Sequence, residues 1–513
     1  MNRLKKFAEN IFILSSASIF MKIVSVLFNA YISKRIGADG MGLFSLIMSA
    51  YLFAVTLSTS GISLACMRLV SEELSAGNGK NAVNAVKKCL IYAISFGCSS
   101  ALLLFLFSNT IAGKILCEPR CALSLRALSV SLPFIAISNV LGSYFSAVRR
   151  VYKSAAVNIF EQFVKIFITV SMLTLLSPKT IEDACLALVI GTSASEGLSF
   201  SYLFVLYIID KRRHLPKFDT KKTEPLTKRM LGISLPIAFS QYLRSGLSTI
   251  NHVLIPRGLK LHGADSSSAL SVYGTIHGMV FPLILFPSAL CATFSSLIVP
   301  ELSELAQAQG GTTGNHIKYI AKRSLRLGML FSIFVAGIMI TFANEFGTLL
   351  YKSAEASRYI RIFAILIPVM YIDTFVDGML KGLGQQLASL RYNIIDSSTS
   401  IALVLLLLPK YGADGYIFCV FATEILNTAL SLSRLIKTTG IRFNFFGYAA
   451  IPSLSAIGAS AISLIISSAL AEGEALKLVA GIVSFTVLYV IFSDVFGYIK
   501  KDDKLWVKKL FTS

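Results

Sequence analysis

Apolar runs of membrane-crossing length alternate with short polar segments from residue 10 to residue 499, and fourteen such runs can be counted. A helix of about 20 apolar residues crosses the hydrocarbon core, and only a helix or a closed barrel satisfies its backbone polar groups there. The pattern predicts an all-α polytopic membrane protein with about fourteen transmembrane helices. Within the first run, 10–33, polar residues recur at Ser15, Ser18, Lys22, Ser25 and Asn29. Spacings of 3 and 4 keep them on one helix face, because successive residues turn by about 100°. The seventh run, 230–256, carries a second stripe 226 residues later, at Gln241, Arg244, Ser248 and Asn251. Polar groups are costly in hydrocarbon, so such faces turn to a bundle interior or a watery path. Two stripes, each with a cation, predict a duplicated transporter with a basic polar cavity between its halves.

Further matches in the same order support the duplication. Gly37-Ala38-Asp39 pairs with Gly263-Ala264-Asp265, and Val70-Ser71-Glu72 with Val299-Pro300-Glu301. Pro133 pairs with Pro368, and Asn158-Ile159-Phe160-Glu161 with Asn393-Ile394-Ile395-Asp396. Ala194-Ser195-Glu196 pairs with Ala422-Thr423-Glu424. The chain then divides into a six-helix lobe at 1–209, a basic cytoplasmic linker at 210–229 and a second six-helix lobe at 230–437. Two extra helices and a basic tail fill 438–513. Six helices per repeat give both lobes one orientation, related by an axis along the membrane normal.

Composition narrows the class. With 513 residues, 55% hydrophobic, 15% charged and mean hydropathy +0.71, the chain is no ordinary soluble enzyme. The net charge of +21 invites a nucleic-acid reading. The basic residues segregate instead, with 32 in segments on one side of the predicted helices and 13 on the other. Lys22, Lys165 and Arg244 lie within spans and complete the 48. Cations stay in the cytoplasm, which places both termini there. The richest segment, Lys211 to Arg229, is expected to lie on anionic lipid. The basic start reads as the edge of a first spanning helix rather than a cleaved leader. Neither Gly-x-x-x-x-Gly-Lys-Ser/Thr nor His-Glu-x-x-His occurs, and no Cys/His ligand set, so catalysis, a metal and a cofactor are not expected. Cys117 and Cys121 share one loop at a spacing that is more often incidental than paired.

Several segments carry a family resemblance: Met21-Lys22-Ile23-Val24, Arg35 to Leu43, Arg68 to Glu72, Val253 to Arg257, and Tyr273-Gly274 through Phe286-Pro287-Ser288 to Glu301. Together they resemble the multidrug/oligosaccharidyl-lipid/polysaccharide (MOP) exporter superfamily. Within it the chain is similar to the stage V sporulation protein B group and its lipid II flippase relatives. The resemblance implies two six-helix lobes and alternating-access transport of a lipid-linked sugar or peptidoglycan precursor across a bacterial cell membrane, in a sporulation or cell-wall setting. Cell-wall or polysaccharide synthesis enzymes are the protein partners it suggests. Two departures stand out: Asn29 holds a place where relatives often carry arginine, and Phe281 to Leu285 are apolar or proline where lipid II flippases carry charge.

On this reading Lys22 and Arg244 balance the substrate's pyrophosphate, since a guanidinium can grip phosphate bidentately. Ser18, Ser25, Asn29, Gln241 and Asn251 are candidates to hydrogen-bond sugar or phosphate, with His252 and Arg257 further along the second stripe. Ion coupling or gating candidates are Glu161, Asp396, Glu196, Glu424, Asp373, Asp377, Glu72 and Glu301. Asp373, Asp377 and Lys381 recur at a spacing of four and are expected to form a buried charge network on one helix face, while Glu161 with Lys165, at the same spacing, also reads as a self-neutralising structural pair. Membrane potential, a proton or sodium are the candidate energy sources. An ion-coupled multidrug exporter of the same superfamily is the alternative, and for cationic drugs it should show acids in the stripes.

Overall fold

The computed structural model describes residues 2–59, 61–175, 178–214, 225–308, 311–470 and 473–500, with side chains from Ile19 onward except 213, 214, 445 and 470. The side chains of Ser15 and Ser18 and most of the linker, 215–224, lie outside the described residues. Helix makes up 90% of the structure. Among the described residues, ten helices are long and apolar enough to cross a membrane, or twelve if each of two bent pairs forms one span. Two helices are far longer than a span: Asn2–Thr59 with 58 residues and Gln386–Thr439 with 54. At 1.5 Å per residue either exceeds a roughly 30 Å hydrocarbon core more than twofold. Each is broken once, at Gly37 (φ 72°) and Gly412 (φ 56°), where a left-handed backbone favours glycine.

Contacts group the chain into two compact units. One contains Met1–Leu14, Ile36–Gly274 and Ile401–Ala413; the other contains Ser15–Arg35, Thr275–Ser400 and Asp414–Ser513. These units are not the linear halves. Both broken helices pass from one unit to the other next to their glycine. The helix bearing the second stripe, Leu226–Leu261, belongs to the unit built mainly from the first half. There Tyr242 donates to the Leu57 carbonyl at 3.1 Å and Thr249 to the Ser49 carbonyl at 3.2 Å. The first stripe, in 15–35, belongs to the other unit.

The first unit has a core of Ile62, Leu69, Val86, Val140, Phe145 and Leu203, joined by Met230 from Leu226–Leu261. In the second unit the helices Phe445–Leu470 and Glu474–Val495 pack on each other and against Asn315–Thr341. Tyr489 donates to the Leu330 carbonyl at 2.8 Å, fixing the last of them.

The duplication is written into the backbone at a constant offset of 235. A π-helical turn at Ile111–Ile115 recurs at Phe346–Leu350. The bent pair Pro119–Ser129 and Leu132–Ala147, at 47°, recurs as Ala354–Ala364 and Ile367–Gly382, at 54°. Individual hydrogen bonds recur too. The amide of Glu118 donates to the Ala112 carbonyl at 2.9 Å, and that of Ser353 to Gly347 at 3.0 Å. After each bent pair the chain leaves by the same reversal. Arg150 donates to Phe145 and Gln385 to Leu380, both at 2.8 Å, around a left-handed residue at 149 or 384. This is the glycine-type helix end in which the residue two past the cap bonds back across the last turn.

Candidate functional site

On Leu226–Leu261 the side chains of Gln241, Arg244 and Ser248 are exposed, near the middle of a 36-residue helix. Lys22 is exposed as well. Other stripe residues are engaged by the protein. Ser25 donates to the Met21 carbonyl at 2.8 Å, and Asn29 to the Gly278 carbonyl at 2.6 Å, on the π-helical stretch Gly274–Val280. Asn251 is half-buried. His252 is half-buried against Tyr273, whose hydroxyl lies 3.0 Å from its Nδ1, and Arg257 is exposed. His277, on the same π-helical stretch, meets the Tyr416 hydroxyl at 2.6 Å.

The acidic candidates fall into three settings. Glu161, Lys165 and Glu196 interact with one another between Val151–Leu175 and Ile181–His214. In the second unit Asp373, Asp396 and Glu424 lie within each other's electrostatic reach, and Asn427 donates to Asp373 at 3.1 Å. No lysine stands at the place of Lys165 here; the residue is Ser400. Asp377 is held by Lys381 at 2.6 Å and by the Ser389 hydroxyl.

Glu72 proves to be part of a larger cluster. Arg229 reaches both Glu72 and its buried neighbour Glu73, each at 2.6 Å, while Arg68 pairs with Glu72 at 2.7 Å. Glu301, the match of Glu72 in the second repeat, is exposed and has no ion pair among the described residues.

Two clusters escaped the sequence reading. Glu118, 4% exposed, accepts from Lys260 at 2.5 Å, from Arg120 at 3.0 Å and from the Ser266 hydroxyl. Burial opposes ionisation of Glu118, but these donors win and hold its carboxyl below the ordinary range. Asp210, 1% exposed, is held by Arg150, by Lys153 at 2.5 Å and by the Tyr144 hydroxyl at 2.9 Å. The helix Ile181–His214 runs past Asp210 into the linker segment, and Asp210 and Arg229 are each anchored by ion pairs. A third Gly-Ala-Asp, at 412–414, also lay in the sequence and marks the second break. All eight cysteines are free, Cys117 and Cys121 included.

A helical, internally repeated bundle with charged side chains within its apolar spans defines a multi-pass membrane protein, and the matches that follow place it among the transporters of the MOP superfamily. The chain belongs to the family described as polysaccharide biosynthesis protein, whose model matches residues 7–306; a second model, MatE, matches 236–406. Stage V sporulation protein B of Bacillus subtilis (strain 168) is 25% identical, over 97% of this chain and 96% of that one. Among solved structures, the lipid II flippase MurJ in an inward closed conformation superposes with a TM-score of 0.72 at 15% identity, covering 94% of this chain and 98% of that one. An inward-facing multidrug resistance MATE family transporter gives 0.67 at 12% identity, over 83% of this chain and 99% of that one.

Proposed function

We propose that this protein is a flippase that carries a lipid-linked, anionic sugar headgroup across a bacterial cytoplasmic membrane by alternating access. The observation that carries the reading is the exposed Gln241–Arg244–Ser248 face at mid-helix, with Lys22 exposed on the first stripe. A cation at the centre of a span costs about 3 kcal/mol or more against lipid, so such a face borders water or substrate. Arg244 pairs with phosphate, and Gln241, Ser248 and Asn251 hydrogen-bond the polar headgroup while the lipid tail stays in hydrocarbon; Lys22 and Asn29 offer the same chemistry along the first stripe. A sequence relative named as a lipid II flippase, 22% identical over 61% of this chain, and the polysaccharide biosynthesis family support this substrate class.

Fourteen crossings with both termini cytoplasmic complete the reading. Splitting the two long helices at Gly37 and Gly412 adds two crossings to the twelve. Treating 266–308 as one crossing around Pro287 removes one, and Leu226–Leu261, whose polar stripe lowers its hydropathy, restores it. Moving two negative charges outward is favoured by an inside-negative potential, at about 2.3 kcal/mol per charge per 100 mV. Protons or sodium at Glu161, Glu196, Asp373, Asp396 and Glu424 are the further coupling route.

The test is headgroup exposure in vesicles holding the purified protein and one of several lipid-linked sugars. Wild type should expose at least one of them, while Lys22→Ala and Arg244→Ala should lose the activity at unchanged membrane levels. Normal transport by both variants would remove the phosphate assignment.

A further inference from the structure

In the first unit the ends of Ile62–Ser75, Leu132–Ala147 and Ile181–His214 enclose a cleft of about 350 Å³. Its polar lining includes Ser71, Arg149, Arg150 and Asp210, beside apolar Leu74 and Val148. Asp210 is fully used by Arg150, Lys153 and Tyr144. The other nearby carboxylates, Glu72 and Glu73, are engaged by Arg68 and Arg229. That leaves Arg149, which is exposed and has no side-chain hydrogen bond or ion pair among the described residues. The cleft therefore carries unbalanced positive charge.

Arg149 also occupies a costly backbone position. Its φ is 58°, and the residue in the same turn of the second repeat, 235 positions on, is Gly384 at φ 72°. A long cationic side chain is kept here against a left-handed backbone that glycine meets freely. Fold alone gives no reason for it, because the identical reversal forms with glycine.

We propose that this cleft binds a phosphate-bearing anion. Arg149 grips the phosphate with two parallel N–H donors, the Ser71 hydroxyl donates a third bond, and Leu74 and Val148 accommodate an attached apolar portion. The chemistry suits either a membrane-lipid headgroup or a free phosphate compound. The site shares no residue with the two stripes, and the inference does not rest on the transport reading.

The experiment uses the full chain in nanodiscs of phosphatidylcholine, titrated separately with short-chain phosphatidic acid and with inorganic pyrophosphate. Wild type should bind at least one of them. Arg149→Gly should weaken that binding tenfold or more and melt no lower than wild type, since glycine relieves the backbone. Arg149→Asn, which tolerates a left-handed backbone, should behave likewise. Arg358→Gln, removing an exposed cation of the second unit, should change nothing. Binding of pyrophosphate identifies the phosphate alone as ligand; binding of the lipid only identifies a membrane headgroup. No binding by wild type, binding indifferent to both Arg149 variants, or an equal loss in Arg358→Gln overturns the proposal.

Discussion

Residues 111–150 and 346–385 trace the same path, through a π-helical turn, a proline-bent helix pair and a left-handed reversal, yet differ at nearly every polar turn position. Glu118 in the first corresponds to Ser353 in the second, Arg149 to Gly384, and Arg150 to Gln385. Ser353 caps its own helix, accepting from the Ala356 amide at 3.1 Å, whereas Glu118 reaches 142 residues along the chain to Lys260. At the other end, Arg150 donates to Asp210, while Gln385 accepts from Arg434 at 3.0 and 2.5 Å. The same bridge is built with its polarity reversed and one charge removed. Apolar packing and the prolines Pro133 and Pro368 suffice for the path, so the turn side chains were left to diverge. In the first repeat they form buried ion pairs; in the second a serine caps its own helix and a neutral glutamine accepts from a distant arginine.

The strongest way to break this contrast is Asp210→Ala. It strands Arg150 and Lys153 beside the buried Tyr144 hydroxyl, and removing one partner of a buried pair costs about 3–5 kcal/mol. Thermal unfolding of the purified protein should shift far more than for Gln385→Ala. Equal shifts would mean that the charge of the first bridge adds nothing.

Glu118→Ser gives the first repeat the residue of the second. The new serine can cap the following helix as Ser353 does, recovering about 1 kcal/mol. Lys260 and Arg120 lose a buried carboxylate, so the net loss should be about 2 kcal/mol. A double-mutant cycle with Lys260→Ala measures the pair directly. Because the Glu118 carboxyl titrates below its unfolded value of about 4.3, its stabilisation is complete above that value. It is lost as pH falls through the folded value. Wild type and Glu118→Ser should therefore converge in stability toward strongly acidic pH, and a gap that persists there would contradict the ionic origin.

A milder effect is expected inside the bundle. Glu161 has Lys165 one turn later, whereas its counterpart Asp396 has Ser400 and gains a further acid at Asp373, the counterpart of Ser138. The first cluster thus sets one lysine among two acids, whereas the second gathers three acids, with Lys381 within electrostatic reach of Asp373. Ser400→Lys should import the first cluster's lysine at the same i,i+4 spacing. On the proposed ion-coupled flippase reading, transport should slow about tenfold, equivalent to 1.4 kcal/mol, and lose its response to an imposed proton or sodium gradient. An unaltered gradient response would place coupling elsewhere.

Much of this was legible in the chain. Apolar run lengths predicted an all-helical membrane bundle, and matches such as Asn158 with Asn393 disclosed the repeat. The left-handed reversals were not legible, because Cys117, Arg149 and Lys352 are residues that seldom adopt that backbone. Nor were the ion clusters. Glu118 and Lys260 are far apart in sequence, and their repeat counterparts do not form the same pair, so neither spacing nor duplication pointed to them. Asp210 was hidden by its basic neighbours Lys211, Arg212 and Arg213, which read as a linker lying on anionic lipid. The stripes show the opposite limit. Periodicity placed Arg244 on one face of a helix, but could not tell that this helix packs in the unit formed mostly by the first half, because packing partners are set by tertiary contacts.

The smallest effect expected is also the most direct test of reversed polarity. Gln385 presents a neutral acceptor to the half-buried Arg434. Gln385→Ala should cost about 1 kcal/mol, the ordinary worth of such a bond. Gln385→Glu would turn the second bridge into an ion pair without moving the backbone, since the reversal around Gly384 is made by main-chain bonds alone. A charge-assisted bond is stronger than a neutral one, but partial exposure and desolvation take back most of the gain. A rise in stability of under about 1 kcal/mol is therefore expected, read as a small upward shift of the melting temperature that shrinks in high salt. A loss on Gln385→Glu would show that the second repeat disfavours a carboxylate at this turn, and that its neutrality is selected rather than merely tolerated.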